Sequence, residues 1–127
     1  MNDIKQNDDW EELLKLADPQ KRSENWQELG RRLYKIEKAS RKKGTFQGIC
    51  EALGLAGRTG YYLAKIMRKL DQLDVEPPED LGWTKLKDVC ELISLENYEE
   101  VFEKCLTSTK KELAEYMFSQ IQDQLSV

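Results

Sequence analysis

The sequence predicts a small all-α protein, and three observations carry that expectation. Apolar residues recur at spacings of three and four, the period of a helical face, and no run alternates as a half-buried strand would. Charged residues make up 35% and hydrophobic residues 39% of the 127 residues, so each segment has one apolar stripe to bury, which suits amphipathic helices around a modest core. Helix-starting and helix-stopping residues fall between the stripes.

In chain order, Asp8-Asp9-Trp10-Glu11 has the spacing of a capping box, with Glu11 three residues after Asp8. It predicts a short first helix with Trp10, Leu13, Leu14 and Ala17, ending before Pro19. A second helix is expected from near Ser23, with Trp26, Leu29, Leu33 and Ile36 inward. Arg31, Arg32, Lys35 and Lys38 fall off that stripe and face solvent. Arg41-Lys42-Lys43 then runs into Gly44, which reads as a C-cap with cations at the negative end of the helix dipole. Thr45 is placed to cap a third helix bearing Phe46, Ile49, Cys50 and Leu53. Gly54 breaks it, Leu55-Ala56-Gly57 makes a tight turn, and a fourth helix runs from about Arg58 to Leu73. Its inner stripe is Leu63, Ile66, Met67, Leu70 and Leu73.

The run Asp74-Val75-Glu76-Pro77-Pro78-Glu79-Asp80 reads as a solvated linker, because two prolines stop the helix and the acids favour water. Beyond it, Gly82-Trp83 opens a helix through Ile93, with Trp83, Leu86, Val89, Cys90 and Ile93 on one face. Ser94 can cap the next, with Tyr98, Val101, Phe102 and Cys105. Thr109-Lys110-Lys111-Glu112 is a second capping box, starting a last helix with Leu113, Tyr116, Met117, Ile121 and Leu125 inward. The expected organisation is an N-terminal helical appendage over 1–20, a central helical domain over 21–73 and a linker over 74–82. A C-terminal helical module over 83–127 either stands apart or packs with 21–73.

The chain has no histidine, which removes the commonest general base and the commonest transition-metal ligand. No CxxC pair, Walker-type glycine loop or GxSxG elbow is present. An enzyme is not expected, nor a cofactor or a metal. Cys50, Cys90 and Cys105 are odd in number, widely spaced and set in apolar helical patterns. They read as buried thiols of a reducing compartment. Asn2-Asp3-Ile4-Lys5-Gln6 is no secretory signal, and no apolar run approaches the roughly 18 to 20 residues needed to cross a bilayer. A cytoplasmic protein without membrane contact is expected.

The formal net charge of −4 conceals a segregation of charge along the chain. Residues 1–30 carry four basic and eight acidic side chains, residues 31–70 eleven and two, and residues 71–127 five and fourteen. The middle segment is therefore at +9 between flanks of −4 and −9. A solvated surface mixes signs more evenly, so the basic segment points to a local polyanion site.

Within that segment, Gly44-Thr45, Ile49-Cys50, Leu53, Thr59, Ile66 and Lys69-Leu70 follow the spacing of bacterial helix-turn-helix regulators. The stretch 44–70 resembles the LuxR-type pattern in particular. The spacing has a physical basis: two crossing helices need a small residue where they touch, here Cys50. They also need a turn residue free to adopt positive φ, here Gly54, while Leu53, Leu55 and Leu63 seal the contact. Two positions depart from the pattern. Gly60 stands where the family usually has Val, so the packing loses a buried side chain, and Ala56 stands where Ser or Thr caps the second helix.

The resemblance implies that the helix over 58–73 is a recognition helix whose first turns enter the major groove of double-stranded DNA. Its outward positions are Arg58, Tyr61, Tyr62, Lys65, Arg68 and Lys69. Arg58 would make a bidentate contact to guanine, and Thr59, Tyr61 and Tyr62 would reach a phosphate, a base edge or a thymine methyl. Arg31, Arg32, Lys38, Arg41, Lys42 and Lys43 would hold the phosphate backbone. The bland alternatives are that the tyrosines pack in the core and that Lys65, Arg68 and Lys69 form a plain solvated face.

A second, more diffuse resemblance covers most of 24–118. Leu81-Gly82-Trp83-Thr84-Lys85-Leu86, then Ser94 through Glu100, then Thr107-Ser108-Thr109 leading to Glu112-Leu113 look like a module of uncharacterised bacterial and phage proteins. There it follows a basic helix-turn-helix segment that begins with a Trp-containing helix, as Trp26 through Leu33 does here. It implies no activity and hints at a mobile-element origin. The acidic module is expected to face away from DNA and to buttress the fold or mediate self-association.

The resulting expectation is a DNA-binding regulator or accessory factor of a phage, plasmid or other mobile element, in one form a homodimer on a two-fold site. The alternative is a protein-interaction module, such as a phage-encoded inhibitor or adaptor, that meets a protein partner through acidic residues 71–127.

Overall fold

Apolar stripes that cannot be buried alone set the architecture, and the computed structural model describes it for residues 2–40, 42 and 44–125. Among these residues there are seven α-helices, one 3-10 turn and no strand, as the all-α expectation requires. The chain divides into two compact units, Met1–Lys69 and Leu70–Val127, with the boundary inside the fourth helix.

The first unit holds α1 (Asn2–Leu16), α2 (Arg22–Ala39), α3 (Thr45–Ala52) and most of α4 (Thr59–Leu73). Asp8 lies inside α1 rather than at its start, because the polar residues before it contain no helix breaker, so Asp8 and Glu11 do not form an N-terminal cap. Arg22 closes the turn around Pro19, donating from Nε and Nη2 to the Ala17 carbonyl at 3.2 and 3.0 Å. α1 packs on α2 and buries Leu13 and Ala17.

On α2, Trp26, Leu29 and Leu33 are buried as expected. Gly30 is buried with them, and its missing side chain has a reason. A β-carbon there would lie 2.6 Å from Met67 Cγ and 2.7 Å from the Leu63 carbonyl oxygen, so α2 and α4 approach backbone to side-chain stem at this point. α2 ends at Ala39, where Ser40 turns extended and donates from Oγ to the Ile36 carbonyl at 2.7 Å. Gly44 is therefore not the C-cap of α2. With φ +89° it is the N-cap of α3, and Thr45 is the first residue of that helix rather than its cap.

In the second unit, α4 closes with a Schellman turn: Asp74 N–H donates to the Asp71 carbonyl at 3.1 Å and Val75 N–H to Leu70 at 3.0 Å. The 74–82 segment keeps its acids exposed, but it buries Val75, Pro77 and Leu81, so it is a packed loop rather than a free tether. α5 (Trp83–Val89) stops short of the expected end, passing through a 3-10 turn (Cys90–Leu92) to an extended Ile93. Leu86, Val89, Cys90 and Ile93 are buried, whereas Trp83 is half-exposed. Asn97 holds the next turn, accepting from Ser94 N–H and donating to the Leu92 carbonyl, both at 2.8 Å.

α6 (Tyr98–Thr107) buries Val101, Phe102 and Cys105. Its C-terminal carbonyls are met by a lysine from α5: Lys85 Nζ donates to Ser108 at 2.6 Å and Cys105 at 3.1 Å. The second capping box forms as expected. Thr109 N–H donates to Glu112 Oε1 at 3.0 Å, and Glu112 N–H donates back to Thr109 Oγ1 at 3.2 Å. α7 (Lys110–Leu125) buries Leu113, but Ile121 and Leu125 are exposed; its expected inner stripe leaves the core beyond Met117.

Candidate nucleic-acid interface

The segment with the charge excess folds as helix, turn, helix. α3 ends in a Schellman turn, with Gly54 N–H donating to Glu51 and Leu55 N–H to Cys50, both at 3.0 Å. Gly54 takes φ +80°, the backbone state that only glycine adopts without cost, and Leu55 is buried against the turn. This is the role expected for it. Gly57 follows with φ +55° and leads through Arg58 into α4.

The crossing of α3 and α4 is tighter than a small residue at position 50 alone would make it. Gly60 is buried, and a β-carbon there would collide with Cys50 Sγ and stand 3.1 Å from Cys50 Cβ. The side chain that Gly60 lacks is thus replaced by the thiol opposite, and the packing is not hollow. Burial, with the Glu37 and Glu51 carboxylates nearby, pushes the Cys50 thiol up to about 11. It stays protonated at neutral pH, a packing group and not a nucleophile. Cys50, Cys90 and Cys105 are all free and buried.

At about 100° per residue, α4 turns Gly60, Leu63, Ala64, Ile66 and Met67 inward, and all five are buried. Arg58, Tyr61, Tyr62, Lys65, Arg68 and Lys69 fall on the opposite side. Five of these six expected outward residues, Arg58, Tyr61, Tyr62, Lys65 and Arg68, line one shallow cleft of about 300 Å³ together with Glu37 of α2. Arg58 and Arg68 are exposed, and Lys65 and Lys69 half-exposed. Thr59 lies on the side of Leu63 and Ile66, half-buried, away from this cleft.

The tyrosines divide between the two readings open to them. Tyr61 sets its ring edge-on to the buried Phe46, centroids 5.0 Å apart at 78°, which fixes its direction while its flank still lines the cleft. Tyr62 is half-buried in the same lining. Glu37 is the residue that sequence reasoning missed. Its Oε1 lies 3.5 Å from Arg68 Nη1, putting one carboxylate among three cations. An exposed pair of this kind adds little stability, yet it lowers the local positive charge and holds the Arg68 guanidinium.

The remaining cations do not join this cleft. Arg31, Arg32 and Lys35 line another, on the α1 side of α2, beside Asp9, Leu13 and Glu28. There Arg32 pairs with Glu28 at 3.1 Å and Glu12 at 3.5 Å. The Glu28–Arg32 spacing was legible as an i, i+4 pair; the approach of Glu12 from α1 was not. Lys38 and Lys42 are exposed, and Arg41 and Lys43 lie outside the described residues.

Among the described residues no group of three or more acidic or cysteine side chains is placed to hold a metal ion, and no helix is long and apolar enough to cross a membrane. No protein-family model, curated protein sequence or solved structure matches this chain.

Proposed function

We propose that the chain binds double-stranded DNA through the outer face of α4, as a regulator or accessory factor whose first unit meets the duplex. The observation that carries this reading is the gathering of Arg58, Lys65 and Arg68 with Tyr61 and Tyr62 in one open cleft on the helix that follows a tight turn. An exposed helix start with a cationic flank suits a major groove, where the first turns reach base edges and later lysines reach phosphate. Lys69, Lys38 and Lys42 are the cations left to extend the backbone contact. Arg31 and Arg32 add to it only if DNA displaces their glutamate partners. A homodimer on a two-fold site is the form in which a unit of this size gains specificity.

Fluorescence anisotropy of a labelled duplex tests the reading. The expected binding weakens with salt, log K falling with log salt by about 0.9 for each phosphate neutralised. Absence of binding at low salt, with a stoichiometric protein partner co-purifying, would move the function to the protein-interaction class.

A further inference from the structure

The unit Leu70–Val127 carries a groove of its own. Its floor is apolar, with Phe102 and Leu106 of α6 facing Pro77 and Pro78 of the 74–82 loop. Tyr98, Phe102 and Leu106 follow one another at four-residue steps, so a single ridge of α6 makes one wall. The lining also contains Glu76, Glu99 and Glu103 and no lysine or arginine. Glu99 and Glu103 are exposed at the rim, and the Tyr98 hydroxyl donates to Glu99 Oε1 at 3.2 Å. Leu106 is 42% exposed, a large apolar side chain left open to water in a unit with five basic and fourteen acidic residues.

We propose that this groove docks a short basic amphipathic protein segment. Its apolar side chains would enter between Phe102, Leu106 and Pro77, and its Lys or Arg residues would pair with Glu99 and Glu103. Two features select that occupant. An apolar floor favours burial of apolar surface whatever the flanking charge, while a one-signed rim attracts cations and repels nucleic acid and acidic proteins. A lipid tail would satisfy the floor and leave the carboxylates unmatched. The lining runs the length of α6, roughly 15 Å at 1.5 Å per residue, enough for two to three turns of a docked helix. The inference concerns a different unit from the α4 cleft and does not rest on the duplex reading.

The probe is a fluorescein-labelled helical peptide of roughly twelve residues with Leu on one face and Lys on the other, titrated with the full chain. Saturable one-to-one binding is expected. Leu106→Ser should weaken it about tenfold through lost apolar burial, with unchanged circular dichroism because Leu106 is a surface position. Glu99→Gln with Glu103→Gln should weaken it and flatten its salt dependence. No binding, equal affinity in Leu106→Ser, or equal affinity for a peptide with every Leu changed to Ser would overturn the proposal. Duplex affinity of the same variants is expected at the wild-type value, so failure here and failure of the DNA reading are told apart.

Discussion

The thiol of Cys50 on α3 fills the space that a side chain at position 60 on α4 would occupy. The two residues form a matched pair, one larger and one smaller than the helix-turn-helix pattern has at those places. Gly60→Ala should therefore destabilise the chain by about 1–3 kcal/mol, despite alanine's better helix propensity. Cys50→Ala alone removes a buried sulfur and also destabilises. Combined, the two should cost less than their sum, with a coupling of about 0.5–3 kcal/mol in a double-mutant cycle from urea denaturation. Strict additivity would mean that the helices do not meet there.

Lys85 offers a second test, because one ammonium meets the last carbonyls of α6 from another helix. Lys85→Met keeps the stem and deletes the donors. A loss of about 1.5–3 kcal/mol is expected, the range for hydrogen bonds to charged groups. Amide exchange should accelerate first in the last turn of α6. Unchanged stability would place Lys85 among ordinary surface lysines.

The Thr109–Glu112 box makes the start of α7 pH-sensitive. The Thr109 backbone N–H, and then its hydroxyl, hold the Glu112 carboxyl below its ordinary value. A carboxyl lowered in the folded state contributes stability above its unfolded pKa and loses it as pH falls through the folded one. Acidification below about pH 4.5 should therefore loosen the α7 N-terminus. Carbon-detected NMR titration should find Glu112 below the other exposed glutamates, and Thr109→Ala should bring it back among them.

Asp74 is the non-glycine residue with positive φ, +56°, at the Schellman turn that ends α4. Glycine carries no β-carbon penalty in that conformation, and an acid at a helix C-terminus opposes the dipole. Asp74→Gly should raise stability by about 0.5–1 kcal/mol. A lower thermal midpoint would show that the Asp side chain has a compensating role.

What was legible in the sequence was what local pattern encodes. The stripes of α2 and α4, the positive φ at Gly54, the Thr109–Glu112 box and the outward set on α4 all follow from spacing within one or two turns. Gly44 shows where local pattern is ambiguous: a glycine between two helices serves equally as the end of one or the start of the next, and Ser40 had already ended α2. Ile121 and Leu125 show a second limit, because periodicity tells which residues share a face but not whether anything covers it. Long-range neighbours were out of reach altogether. Glu12 on Arg32, Glu37 beside Arg68, and the close approach that requires Gly30 depend on how α1, α2 and α4 pack. For the candidate interface the consequence is specific: the cleft residues could be named in advance, but not the carboxylate among them or the neutralisation of the neighbouring arginines.

The salt dependence of duplex binding by Arg58→Ala/Lys65→Ala, set beside that of the unaltered chain, tests the central claim most directly. If these two cations meet DNA, affinity at fixed salt should fall at least tenfold. The slope of log K against log salt should lessen by up to about 1.8, or about 0.9 for each lost phosphate contact. The same affinity and slope in both proteins, with both still folded, would contradict the account and remove α4 from the interface.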